Sequence, residues 1–186
     1  MNENPQSLGL EKVIHAVTEK TGSSASRFIW INVAEQCLYL IDAKQVVQQY
    51  AISTSRYGVG NLQDSFKTPL GLHHIAEKLG AECSSGEILK ARQATGDLAP
   101  ICQDAIALDK DYITSRILWL SGLEPGYNQG GQVDSHSRYI YIHGTAEEGL
   151  IGRPASIGCI RMRNQDVIKL FSEVEQGLLV MITSDN

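Results

Sequence analysis

A mainly β domain with flanking α-helices is the fold class that this sequence predicts, and three observations carry it. Short runs rich in β-branched and aromatic residues, ILWL at 117–120, YIYI at 139–142 and LLVMIT at 178–183, are spaced as strands along the second half of the chain. Apolar residues at helical spacing occur in two stretches, one near each end. A chain of 186 residues, 42% hydrophobic and 20% charged, is long enough for one core and carries no signature of disorder.

Taken in order, Leu10, Val13, Ile14 and Val17 mark one face of a helix, with Ser7 as its expected N-cap and Gly22 as its stop. Residues 1–26 thus read as an N-terminal helix packed on a single domain of residues 27–186. Gly58-Val59-Gly60 lacks the third glycine of a dinucleotide loop and reads as a hairpin connection. A strand is expected over 68–75. His73 and His74 near Glu77 suggest a metal site at first sight, but adjacent residues of a strand point to opposite faces and chelate poorly, so no metal is expected. Residues 78–100, KLGAECSSGEILKARQATGDLAP, read as a long excursion able to form part of a groove or a lid. His136 and Arg138, in DSHSR, precede the strand at 139–142; each reads either as a groove residue or as part of a solvated loop. Asn164 is the expected cap of a helix with Val167, Ile168, Leu170, Phe171 and Val174 on its apolar face; Gly177 ends it and 178–183 returns as a buried strand.

The chemistry concentrates in YIYIHGTAEEGLIGRPASIGCIRM. The strand at 139–142 delivers His143 at its end, and Ser156-Ile157-Gly158-Cys159 reads as a tight turn into Ile160. Singly, a Cys in an apolar stretch is most often a small core hydrophobe, and a His after a β-branched run a satisfied core or edge residue. Together, with Gly144 and Gly158 allowing close backbone approach, they are the parts of thiol-based acyl transfer. Ser156 either positions the loop by hydrogen bonding or is simply a turn residue.

Composition narrows the class. A formal charge of −5 offers no basic patch for nucleic acid, and no run of about 18 apolar residues is present to span a membrane. Cys37, Cys83, Cys102 and Cys159 form no C-x-x-C pair and no zinc spacing, and no cofactor is implied. Cys37 reads as core; for Cys83 and Cys102 both free thiols and a mutual disulfide fit the sequence. The N-terminus lacks a basic segment, an apolar h-region and a small-residue cleavage site. The expected compartment is therefore the cytoplasm if Met1 is the natural start, and the periplasm if an export signal has been removed.

IHGT, SIGCIRM sixteen positions on, and the following Asn164 and Asp166-Val167 resemble the L,D-transpeptidase catalytic domain (YkuD-like) family. Upstream, INVAEQCLYLI resembles its opening hairpin, YAIST its next strand, and Thr68-Pro69-Leu70-Gly71-Leu72 its T-P-x-G-x element, so the resemblance covers roughly residues 27–183. It implies a β-sandwich or partly barrel-like catalytic fold and an enzyme acting on peptidoglycan stem peptides or muropeptides. Cys159 would be the nucleophile that forms a thioester, His143 the base, and Gly144 the carbonyl that orients the imidazole. Backbone amides around Ile157, Gly158 and Cys159 would hold the oxyanion. Arg161 would bind or orient a carboxylate, the competing reading being a surface ion pair. One departure stands out: the family's usual His before Gly-Cys is Ile157 here. With a cytoplasmic location, water becomes the expected acceptor, which makes the chain an L,D-carboxypeptidase releasing D-alanine in murein recycling. The alternatives are an L,D-transpeptidase that cross-links stems or exchanges D-amino acids, and a non-catalytic muropeptide-binding module.

Overall fold

The computed structural model describes residues 5–184, with side chains from Gly9 onward. Helix α1 spans Pro5–Thr21. It begins ahead of Ser7, which therefore lies inside the helix and not at its cap; a proline is favoured at a first helical position because its missing N–H would be unpaired there anyway. Gly22 does end it, at φ 70° with its N–H returning to the Thr18 carbonyl at 2.9 Å.

The strands are β1 (Arg27–Asn32), β2 (Cys37–Asp42), β3 (Gln45–Ser53), β4 (Gly71–Leu79), β5 (Glu87–Lys90), β6 (Gln93–Leu98), β7 (Ile113–Gly122), β8 (Tyr141–Thr145), β9 (Ile160–Met162) and β10 (Leu179–Thr183); helix α2 (Asn164–Glu173) lies between the last two. They pair in the order β4-β10-β1-β2-β3-β9-β8-β7-β5-β6, and an additional β4–β7 pairing closes the stretch from β4 to β7 into a ring. The result is a mainly β fold with flanking helices, barrel-like in its closure, with the β5–β6 hairpin outside the ring.

Several boundaries differ from the sequence reading, each for a local reason. The strand expected at 139–142 begins only at Tyr141, because Tyr139 sits at φ 57°, outside the extended region, and turns the chain there; His143 is consequently mid-strand. The 68–75 strand is shifted to β4, and Thr68 instead makes an isolated parallel bridge to Val59, so Gly58–Gly60 is not a hairpin turn. The 78–100 excursion is ordered around β5 and β6. Helix α2 starts at Asn164, with Arg163 in the cap position, and ends at Glu173, ahead of Gly177.

Both faces of β1 are buried, and this places the helices. Ile29 and Ile31 face the ring interior, where they join Leu38, Leu40, Ile52, Leu118, Leu120, Ile142 and Ile160 with Val167 and Leu170 of α2 and Val174 just beyond it. Phe28 and Trp30 alternate to the outer face, where α1 covers them with Val13 and Val17 beside Tyr39, Leu72 and Met181. Burying those two valines contributes on the order of 3 kcal/mol. All four cysteines are free, and Cys37 is core as its setting in CLYLI suggests.

Candidate active site

Parallel pairing of β8 with β9, in the register Ile142↔Ile160 and His143↔Arg161, brings the two halves of the motif together. Neighbouring strands lie about 4.8 Å apart, so residues distant in sequence become lateral neighbours. Cys159 precedes β9 by one residue and lies beside Tyr141, whose N–H reaches Sγ at 3.4 Å.

His143 is 2% exposed, and its Nδ1 lies 2.7 Å from the Gly144 carbonyl. A carbonyl oxygen only accepts, so Nδ1 carries the hydrogen and Nε2 is left as a proton acceptor. Burial holds the imidazole down to a pKa of about 4, against the opposing pull of Asp111. Burial likewise pushes the Cys159 thiol up to about 11. Its Sγ donates to the Tyr139 carbonyl at 3.3 Å, an arrangement that fits a protonated thiol. Burial thus favours the uncharged form of each group, a protonated thiol and a neutral imidazole. The left-handed backbone at Tyr139 aims that carbonyl at the sulfur, an example of an unusual conformation held at a reactive group.

The loop before Cys159 is fixed through its carbonyls. Thr68 Oγ1 donates to the Gly158 carbonyl (2.9 Å) while accepting the Ser55 N–H (3.0 Å), and Ser156 Oγ donates to the Cys159 carbonyl (2.6 Å). Ser156 is thus a loop-positioning residue. Gly158, at φ 133°, a value that favours glycine, forms the turn ahead of Cys159. Its own N–H reaches back to Ser156 Oγ at 3.3 Å. Among the described residues, the N–H groups of Ile157 and Cys159 have no partner, which leaves donors for an oxyanion.

Arg161 is not a surface ion pair. It is 3% exposed, and its guanidinium donates to Glu147 Oε2 at 2.6 Å and Asp111 Oδ2 at 2.5 Å. Asn164, expected as a helix cap, is buried. Its Oδ1 accepts from Thr114 and Ser115 hydroxyls (both 2.6 Å), and its Nδ2 donates to the Thr145 carbonyl (3.0 Å) and Glu148 (2.7 Å). A bulge in β7 between Thr114 and Ile117, opposite Gly144 and His143, makes room for this network. Gly144 cannot be larger: a Cβ there would meet the Thr114 carbonyl at 2.6 Å and Asn164 Oδ1 at 2.8 Å.

An aromatic wall borders the thiol. Trp119 stacks on His136 (centroids 4.0 Å apart, 2° between planes) and meets Tyr141 edge-on, while Arg92, from the β5–β6 turn, lies 4.9 Å from the Trp119 ring. His136 is therefore half-buried against an indole, with its Nε2 3.4 Å from Glu77, and is not a solvated loop residue. Arg138 donates to the carbonyls of Asn61 (2.9 Å), Lys67 (2.6 Å) and Gly60 (3.3 Å) and lines a small cavity with Ile157. Sequence reasoning missed Thr68, Asp111, Glu147 and Trp119 as parts of the site, and gave Asn164 only a capping role. Thr68, within the T-P-x-G-x element, was the one with a usable signal.

The model of the L,D-transpeptidase catalytic domain matches residues 26–182. A Bacillus subtilis (strain 168) protein named as an L,D-transpeptidase, YkuD, is 48% identical over 148 residues, 77% of this chain and 84% of that one. A second from the same organism, YqjB, is 49% identical over 49 residues, 26% of this chain and 28% of its own length. The crystal structure of a mutant Enterococcus faecium L,D-transpeptidase superposes on 86% of this chain and 50% of that chain with a TM-score of 0.52 at 12% identity, a likeness of fold. The chain thus spans only part of the length of several of the proteins it matches. With 157 of its residues matched end to end by the family's model, this chain belongs to the L,D-transpeptidase catalytic domain family.

Proposed function

We propose that this protein cleaves the peptide bond between an L-centre and a D-residue in peptidoglycan tetrapeptide stems, through a thioester on Cys159. The observation that carries the reading is a partly exposed thiol one residue ahead of β9 and, on the adjoining β8, a buried imidazole whose Nδ1 is engaged by Gly144 and whose Nε2 remains a base. Cys159 Sγ attacks the carbonyl carbon of the third residue as its proton passes to His143. The oxyanion gathers on the Ile157 and Cys159 amides. The C–N bond then breaks, His143 returns the proton to the departing D-alanine nitrogen, and the acyl group stays on sulfur. Neutral resting partners suit this sequence, because charge develops only as the substrate arrives.

Water is the acceptor in this reading, which makes the activity that of an L,D-carboxypeptidase. A partly exposed thiol on the strand neighbouring a neutral base supports it, since the same Nε2 can take a proton from water to release the tripeptide. A second reading, transfer to the amine of a D-amino acid or another stem, is favoured by the names of the matched relatives. Wild type and Cys159→Ala, incubated with a disaccharide-tetrapeptide with and without D-methionine, separate the two by product mass. A tripeptide from wild type alone supports hydrolysis, and a heavier tetrapeptide supports exchange. Equal turnover by Cys159→Ala removes the thioester altogether.

A further inference from the structure

Beside the Ile157–Cys159 loop lies a cavity of about 190 Å³, lined by Phe66, Ile140 and Ile157 as apolar walls and by Arg138, with Asp64, Gln63, Ser137 and Tyr139 around it. The cation is the informative group. Arg138 is held by three main-chain carbonyls, which engage three of its five N–H donors, and no ion pair among the described residues neutralises it. Asp64, exposed at the rim, moderates its charge from a distance, and the Cys159 thiol feels that charge too. Three of the lining residues, Asp64, Phe66 and Tyr139, are non-glycine residues at positive φ (59°, 57° and 57°), so the wall is a constrained structure and not a passive loop. Ile157 and Phe66 remain 46% and 53% exposed, presenting apolar surface toward the opening.

A small cavity that combines apolar walls with one unneutralised guanidinium, next to the oxyanion amides, fits a single residue with a free carboxylate. Resting on the acyl-transfer reading above, we infer that this cavity is the subsite for the terminal D-amino acid of the stem, with its α-carboxylate on Arg138 and its side chain between Phe66 and Ile157. The terminal residue is the one part of a stem whose α-carboxylate lies a single residue from the scissile bond. The space exceeds what an alanine methyl fills, so D-leucine or D-methionine should fit as well as D-alanine. Arg138 is then a specificity-determining residue, with the same guanidinium also tying the 60–67 loop to the turn before β8.

The test compares a disaccharide-tetrapeptide ending in free D-alanine with the same stem ending in D-alanine amide, on the full chain. Loss of one charge-assisted contact should lower wild-type kcat/KM for the amide by about tenfold to a hundredfold, chiefly through KM. Arg138→Gln should bring the acid-to-amide ratio close to one, and Arg138→Lys should retain part of it. Wild type that cleaves acid and amide alike overturns the subsite while leaving the acyl-transfer reading intact; this comparison needs no variant to fold. An Arg138→Gln enzyme that keeps the wild-type ratio overturns it as well. Wild type that releases nothing from either stem overturns the acyl-transfer reading and the subsite with it.

Discussion

Replacing Arg161 by methionine should destabilise the protein by an amount set by Glu147, not by Arg161 itself. Both side chains are 4% exposed, and Arg161→Met would leave the Glu147 carboxylate buried with the Leu108 N–H as its remaining hydrogen-bond donor. Removing one partner of a buried ion pair costs about 3–5 kcal/mol, because an uncompensated charge stays behind. The Asp111 arm adds little: its side chain is 35% exposed and can rehydrate. An unfolding entropy of about 2.1 cal/mol/K per residue gives about 0.4 kcal/mol/K for 186 residues, so a loss of about 4 kcal/mol lowers Tm by about 10 °C. Thermal unfolding followed by circular dichroism at pH 7 reads this directly. Arg161→Met combined with Glu147→Leu should recover most of the loss, because a buried pair replaced by apolar groups is close to neutral. A single-variant loss below about 1 kcal/mol, or additive losses in the double variant, would refute the claim that these two charges depend on each other.

Other expectations follow from the same geometry. Gly144→Ala forces a Cβ against the Thr114 carbonyl at 2.6 Å, and should cost about 1–3 kcal/mol in denaturant titration and depress turnover by displacing the carbonyl that orients His143. His73, fully buried between the Gly71 carbonyl and Ser135, and His143 are both held by burial to a pKa of about 4. The unfolded chain binds these protons from about pH 6.5 and the folded one does not, so stability should fall as pH drops from 6.5 to 4, by about 3 kcal/mol per histidine. His73→Gln should flatten roughly half of that slope. Alkylation of Cys159 by iodoacetamide, read by peptide mapping, should still be accelerating above pH 9 and run on the order of a hundredfold slower at pH 8 than an ordinary thiol; a plateau below pH 8 would mean a thiolate–imidazolium resting pair instead. Deleting residues 1–22 should uncover Phe28, Trp30, Tyr39 and Met181 and be seen as dye binding and loss of solubility.

What the sequence determined by itself is what local chemistry can encode. The β-branched and aromatic runs ILWL and LLVMIT specify strands whatever their partners, the apolar face of Val167, Leu170 and Val174 specifies a helix, and His143 with Cys159 in a glycine-flanked motif specifies the reacting groups. Turn geometry was less legible: nothing in YIYI announces that Tyr139 takes a left-handed backbone, because that conformation is imposed by the 134–140 turn and rewarded by the contact of its carbonyl with the thiol. Only tertiary structure decided where long-range polar groups go. Arg161 turns inward because β9 is enclosed between β3 and β8 and finds Glu147 and Asp111 there. Asn164 serves a buried network because the β7 bulge opens a space beside it. Arg138 ends over a cavity because three carbonyls from the 60–67 loop converge on its guanidinium. A polar side chain takes the role its distant partners allow, since burial without a partner is too costly, and those partners are set by how the sheet closes, which no window of neighbouring residues contains.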